Sequence, residues 1–274
     1  MKSGVRLGGP ALAWLCFFIL APLGLVLLIS FAQRGIYGGI QWDFGAGNYS
    51  RLFSPETLLI VWDSLRLAFF TAVVCVFLGL LSAWAMATAS ERRRPWLLGL
   101  IALPFLTNLI IRVYAVKSVV AANGPLPFLL TLLGIEFDPF ALTANSWLVA
   151  YGMVSSYLPF AVLPLYGAFE KFDFTLVEAA QDLGAGPWKI FGQVIVPALR
   201  GPILGAFLLV FIPCLGEYVI PDLLGGAKSM LLGNLITDQF LKARDWPFGA
   251  AVSVGMMGLL VLTGLLLRVL RRTK

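Results

Sequence analysis

No histidine occurs among the 274 residues. The commonest general base of enzymes is therefore missing, and so is any histidine-ligated zinc or haem. Charge is scarce too. Asp, Glu, Lys and Arg make up 12% of the chain, about half the roughly 25% of a soluble domain. The three cysteines, Cys16, Cys75 and Cys214, each fall inside an apolar run and far from one another. That placement suits neither a metal knuckle nor a disulfide framework, and marks them as small core residues. Hydrophobic residues are abundant at 59%, with a mean hydropathy of +0.90. So few polar groups could not cover that apolar surface in water, which excludes a freely soluble enzyme. The same richness in Leu, Val and Phe excludes disorder. The composition is that of a membrane protein.

A bilayer core about 30 Å thick takes roughly 20 apolar residues in helix. Six stretches reach that length: 11–32, 67–90, 96–120, 141–169, 201–221 and 246–267. They predict an all-α integral membrane protein, one transmembrane domain over 1–274, with a long cytoplasmic loop at 170–200. The first stretch follows Lys2 and Arg6 and ends near Ser30-Phe31-Ala32, like a cleavable signal. Its apolar region exceeds the 7–15 residues or so of a signal core, so an uncleaved anchor is expected.

Lys and Arg set the orientation. With six spans, the two termini and the even-numbered loops share one side. That side holds twelve of the twenty basic residues, from Lys2 and Arg6 through Arg92, Arg93 and Arg94 to Lys274, against five of the fourteen acidic ones. It is expected to be cytoplasmic, with both termini inside. The net charge of +6 is then a topology signal and implies no nucleic acid.

The 170–200 loop has its own pattern. Thr175 and Glu178 stand at capping-box spacing. Leu176, Ala179, Ala180 and Leu183 recur at i, i+3, i+4 and i+7, one face of a helix. Gly184 sits where a C-cap glycine belongs, and Gly186-Pro187 can open a second helix running to Pro197. A helix-turn-helix at the membrane surface is expected. A well-capped connecting loop fits the periodicity equally well.

Glu178-Ala179-Ala180, then Gly184, then Val194-Ile195-Val196-Pro197 resemble the EAA signature of ABC importer permeases, with Val194 and Val196 as mild departures. The resemblance implies a type I permease-like bundle whose loop is a coupling helix seated on an ATPase. Glu178, Ala179, Ala180, Leu183, Gly184 and Pro197 would be its contact residues. The Walker loop G-x-x-x-x-G-K-[ST] is absent from the chain. ATP and magnesium would accordingly bind on the partner ATPase, with no cofactor and no catalytic residue on this chain.

Ionisable residues inside a membrane are expensive and point to function. Glu217 and Arg112 each lie about 24 Å along their spans at 1.5 Å per residue. They could neutralise each other, or Glu217 could line a passage and meet a cation. Asp222, Asp238 and Asp245 lie on the outer side with the aromatics Tyr114, Trp147, Tyr151, Tyr157, Tyr218 and Trp246. Aromatic faces attract ammonium groups, yet Tyr and Trp also anchor helices at interfaces. Loop carboxylates are often simply solvated. The outer segment 33–62 reads as a lid or a contact for a binding protein, and Asp63 with Arg66 as an i, i+3 pair.

A second resemblance is to spermidine/putrescine permeases. It rests on Gly216-Glu217-Tyr218-Val219-Ile220-Pro221-Asp222-Leu223-Leu224-Gly225-Gly226 and on Arg244-Asp245-Trp246-Pro247. It implies a polyamine importer of the bacterial inner membrane, with a second permease subunit, two ATPase subunits and a periplasmic or lipid-anchored substrate-binding protein. Glu217, Tyr218, Asp222, Arg112, Tyr151, Asp245 and Trp246 are the candidate substrate path. An ABC permease for another small solute is the nearest alternative. An ion-gradient-driven transporter would show internal repeats and broken helices. A lipid-modifying enzyme would need clustered Asp or a His base.

Overall fold

The computed structural model of the chain describes residues 2–135, 145–226 and 230–272, with side-chain surroundings within 9–265 apart from 11 and 12. Two compact units divide it, Met1–Trp62 with Leu231–Lys274, and Asp63–Met230.

The first unit starts with α1 (Lys2–Ser30). Strands β1 (Gln33–Arg34) and β2 (Ile40–Gln41) follow as a short antiparallel pair, with Gln33 opposite Gln41. Helices α2 (Gly47–Leu52) and the start of α3 (Pro55–Ala87) come next. The chain returns as α12 (Leu232–Leu241) and α13 (Trp246–Arg272). The α1 helix lies against α13, and α12 and α2 pack on α13 as well. Buried Leu232, Leu235, Phe248 and Val252 form the core between α12 and α13. Buried Asn48 closes the end of α1, its amide donating to the carbonyls of Ser30 (3.0 Å) and Ala32 (2.8 Å). Those carbonyls would otherwise have no helical partner. Outward, α1 presents Trp14, Phe17, Phe18 and Leu20, as a helix solvated by lipid does.

The second unit holds the rest of α3, then α4 (Arg94–Leu106), α5 (Leu109–Val120), α6 (Pro125–Leu132) and α7 (Ser146–Phe169). After them come α8 (Thr175–Asp182), α9 (Pro187–Ala198), α10 (Arg200–Gly216) and α11 (Val219–Leu224). α7 is the hub. Helices α10, α11, α4 and α5 all pack on it, and Ala161, Val162, Leu165 and Phe169 are fully buried along its length. Glycines set the closest approaches. A Cβ at Gly79 of α3 would stand 3.2 Å from side-chain carbons of Ala161 and Leu165. One at Gly152 of α7 would stand 2.6 Å from Leu224 and 2.9 Å from Ile220 of α11.

Among the described residues five helices are long and apolar enough to cross a membrane, or six if the pair α9–α10, bent by 80°, is one span. The ends differ from the sequence reading in instructive ways. α3 begins at Pro55, twelve residues before the expected 67, and ends at Ala87. The stretch 96–120 is two helices. Pro104 lies near the end of α4, Thr107 is extended at ψ 141°, and the Asn108 side chain caps α5 by accepting from the Ile110 N–H (2.8 Å). The long apolar candidate there is Leu109–Leu132. Of the stretch 141–169, residues 141–144 lie outside the described residues, and α7 starts at Ser146. The stretch 201–221 stops as a helix at Gly216, because Glu217 is extended at ψ 128°. Among the described residues no ion pair joins Asp63 to Arg66; the pairs are Arg51–Asp245 and Lys242–Asp238.

Candidate functional site

Glu217 occupies the break between α10 and α11 and is buried. Its Oε1 accepts the N–H groups of Val219 (2.9 Å) and Ile220 (3.4 Å), and its Oε2 accepts the Tyr157 hydroxyl of α7 (2.6 Å). Those backbone donors open α11 and have no partner within that helix. The carboxylate therefore replaces the missing turn of helix while Tyr157 holds its other oxygen.

Arg112 lies at the other break, between α4 and α5. Its guanidinium donates to the carbonyls of Pro104, which also accepts the Thr107 hydroxyl (2.9 Å), and of Thr107, both where α4 ends. A cation at a helix C-terminus is favourably placed. Each intramembrane charge is thus met by a helix end of opposite polarity, and Arg112 makes no ion pair with Glu217.

A cavity lies between Arg112 and Tyr157, the partner of Glu217. About 260 Å³ in volume, it is lined by Phe105, Thr107, Arg112, Ser156, Tyr157 and Phe160, among others. Among the described residues Arg112 Nε and Ser156 Oγ are buried without a hydrogen-bond partner. Aromatic rings form the wall, with Phe105 and Phe160 at 4.8 Å and Tyr157 and Phe160 at 5.8 Å between centroids. Such a cavity offers π faces, a guanidinium and hydroxyls.

The remaining expected path residues do not line this cavity. Tyr218, Asp222 and Tyr151, also in the second unit, are exposed. In the first unit Asp245 is 2% exposed and engaged: Oδ2 takes the Arg51 guanidinium at 2.8 Å and Oδ1 the Phe248 N–H at 3.2 Å. The Arg51 guanidinium carbon lies 3.9 Å from the Phe248 ring centroid. Trp246 is half exposed and packs edge-on against Phe240 at 5.9 Å. Next to it, Arg244 adopts φ 51°, and its carbonyl accepts the Gly39 N–H (2.9 Å). Arg34 donates to the Ala243 carbonyl (2.7 Å), so the β1–β2 hairpin is fastened to this corner.

The α8–α9 hairpin matches its expected shape with one correction. Thr175 is not the capping acceptor. Asp173 takes that role, its Oδ1 accepting the Thr175 N–H (3.0 Å) and hydroxyl (2.7 Å). The Thr175 hydroxyl first, then its N–H, hold the Asp173 carboxyl below the ordinary carboxylate range. At the far end Gly184 has φ 75°, the Gly184 N–H bonds Gln181 O (2.8 Å) and the Ala185 N–H bonds Ala180 O (3.0 Å). This is a Schellman cap, which needs a left-handed residue at that position. Pro187 opens α9, which turns π-helical over Phe191–Ile195 before Pro197. Val177 is the buried side chain of α8. Leu176, Glu178, Ala179 and Leu183 are exposed, Leu183 at 89%, and Ala180 is half-buried. The face singled out by periodicity is the outward one.

Sequence reasoning missed Tyr157 as the partner of Glu217, Asp173 as the cap, and Arg51 as the partner of Asp245. An Asp two residues before a helix-opening Thr was a readable signal for the second; the other two are long-range pairs without one. Among the described residues no three His, Cys, Asp or Glu converge as a metal site requires.

Comparison with known proteins places these features. Residues 75–274 match the family model described as "Binding-protein-dependent transport system inner membrane component". The spermidine/putrescine transport system permease protein PotB of Haemophilus influenzae is 41% identical over 250 residues, 91% of this chain and 87% of that protein. PotB of Escherichia coli K12 is 38% identical over 252 residues, 91% of this chain and 92% of that protein. Among solved structures, a bacterial ABC transporter involved in import of the acidic polysaccharide alginate shares the fold, with a TM-score of 0.75 over 99% of this chain and 98% of that one, at 17% identity.

Proposed function

Because the chain belongs to the family of binding-protein-dependent transport system inner membrane components, we propose that it is the permease subunit of an ATP-driven importer of polyamines, spermidine or putrescine. It is a multi-pass protein of the bacterial inner membrane and a transport component. The polyamine reading follows from its identity to the PotB permeases across nine-tenths of its length.

The observation that carries the mechanism is the exposed apolar face of α8. Leu176, Ala179 and Leu183 stand clear of the unit that positions them, on a helix locked by Asp173 at one end and Gly184 at the other. A small rigid knob with an unpartnered apolar face suits a groove on another protein. In this reading it is the coupling helix: a separate ATPase, holding ATP and magnesium, moves α8, and α9 and α10 pass the motion to the break at Glu217. A second permease, two ATPases and a substrate-binding protein complete the assembly, and the basic face with both termini lies in the cytoplasm.

Along the path, Glu217 supplies a carboxylate and Tyr157, Phe105 and Phe160 supply π faces for an ammonium group. Arg112, fixed at its own helix break, repels a polycation from one side of the cavity, so an amine nitrogen is steered toward Glu217. Tyr151, Tyr218 and Asp222 offer further exposed π and carboxylate groups. Asp245 and Trp246 act by holding the corner that fastens the outer hairpin.

Reconstituted vesicles holding the whole assembly test this reading. Labelled spermidine is expected to enter only with ATP and the binding protein, and vanadate is expected to stop it. Uptake that ignores vanadate but collapses with an uncoupler would overturn the ATP-driven account.

A further inference from the structure

A second concave feature lies away from the transport cavity, in the turn from α3 to α4. It is an open groove of about 810 Å³. One wall is polar: Thr88, Ser90 and the guanidinium-bearing Arg93. The other is apolar, with Trp96 and Leu97 of α4 beside Ala85 and Ala89. Arg92, next in the chain, is exposed. Among the described residues neither Arg92 nor Arg93 makes an ion pair, not even with exposed Glu91 beside them. Arg94 does not line the groove; its Nη2 donates to the Ala87 carbonyl (3.2 Å) and fixes the turn. Trp96 is 81% exposed at the mouth.

We propose that this groove binds the headgroup of an anionic phospholipid. The turn joins the end of a spanning helix to the start of an apolar one, so it sits at headgroup depth. Two unpaired guanidiniums provide the countercharge for a phosphodiester, and Arg matches phosphate oxygens in a bidentate way. Ser90 adds a hydroxyl at the same end, while the Thr88 hydroxyl donates to the Trp84 carbonyl (2.9 Å). Trp96 and Leu97 offer the glycerol and upper acyl carbons an apolar wall, with Trp in its preferred interfacial setting. Basic pockets between spanning helices commonly hold anionic headgroups in this way. A lipid seated here would also brace the end of α3, where Trp84 stacks on Phe191 of α9, 6.1 Å between ring centroids. Lipid composition would in that case bias the coupling hairpin through α9. The inference rests on the membrane-embedded part of the proposed function alone.

Native mass spectrometry of the assembled transporter, with titrated lipid, tests it independently of uptake. Phosphatidylglycerol is expected to bind this subunit well above phosphatidylcholine, and R92Q/R93Q to weaken it by about thirty-fold. R92K/R93K is expected to keep most of the binding, and Lys171→Gln all of it. Should R92Q/R93Q fail to assemble, Trp96→Ala, which leaves both charges, is expected to weaken phosphatidylglycerol several-fold. Equal binding of the two lipids, unchanged affinity in R92Q/R93Q or Trp96→Ala, or displacement of the lipid by millimolar inorganic phosphate would each overturn the proposal. A transporter that binds the lipid but does not import polyamines would leave it standing and remove the substrate reading instead.

Discussion

The Tyr157 hydroxyl lies 2.6 Å from Oε2 of Glu217, two residues sixty positions apart on α7 and at the α10–α11 break. That bond ties the hub helix of the second unit to the point where a spanning helix is interrupted. The other oxygen of Glu217 serves the backbone, so the carboxylate has one structural and one exchangeable face. An arriving ammonium group would compete with Tyr157 for Oε2 while Val219 and Ile220 keep Oε1.

Glu217→Gln keeps an acceptor for the α11 amides and discards the charge. The expected outcome is a folded subunit at normal level whose spermidine uptake falls about ten-fold or more, as loss of one charge contact implies. Unaltered uptake kinetics would take Glu217 out of the path. Tyr157→Phe removes only the hydroxyl and should cost about 1–2 kcal/mol, read as a lower melting temperature in detergent.

Gly152 and α11 leave no room for a methyl group. Gly152→Ala drives a Cβ against Leu224 and Ile220, and an overpacked contact of this kind costs about 1–3 kcal/mol. Melting should drop by several degrees, and the paired change Gly152→Ala with Leu224→Ala should recover part of it. A neutral Gly152→Ala would show that α11 moves freely on α7.

At Gly184 the left-handed backbone penalises any Cβ by about 1–2 kcal/mol, which Asn tolerates better than Ala. Gly184→Ala is expected to loosen the α8 cap and uncouple ATP hydrolysis from uptake in the assembled transporter, with Gly184→Asn closer to wild type. Leu183→Ser, on the exposed face, should lower coupling without moving the melting temperature. If both variants transport normally, α8 is not the element the ATPase pushes.

Asp245→Asn breaks a pair in which one partner is buried and the other half in solvent. Removing a partner from a fully buried pair costs about 3–5 kcal/mol; with Arg51 about half exposed, about 1–3 kcal/mol is expected here. Thermal melting of the purified subunit measures it, and Arg51→Lys, which keeps charge but loses the planar stack on Phe248, should fall in between.

The Asp173 cap carries a pH dependence of fixed sign. Its folded-state carboxyl titrates lower than in the unfolded chain, so the cap's stabilisation is full above the ordinary carboxylate range and fades as pH falls through the depressed value. Amide hydrogen-exchange protection at Thr175, corrected for intrinsic rate, should drop on acidification. Asp173→Asn should abolish the drop; a drop that persists would assign it to another group.

Helix-forming stretches and the hairpin were legible because each rests on local rules: charge-free length for the spans, Gly184 and Pro187 for the turn. The breaks were less legible. Glu217 and Arg112 were read as charges inside continuous helices, since apolar flanks on both sides look the same whether the backbone runs on or stops. Only Pro104 and Asn108 hinted otherwise. The roles of Tyr157 and Arg51 depend on partners 60 and 194 positions away, and no window along the chain contains them. Nor did broken helices favour the gradient-driven alternative as expected, for they occur here in a binding-protein-dependent permease.

The bond from Arg34 to the carbonyl of Ala243 spans 209 positions. The β1–β2 hairpin therefore leaves the ribosome long before its anchor does. Until α13 is made, α1 lacks the helix that lies along it and is held at its end by Asn48 and Tyr49 of α2. A nascent chain stalled short of Ala243 should therefore leave the hairpin open to protease, and the clasp would close only once Ala243 has been made.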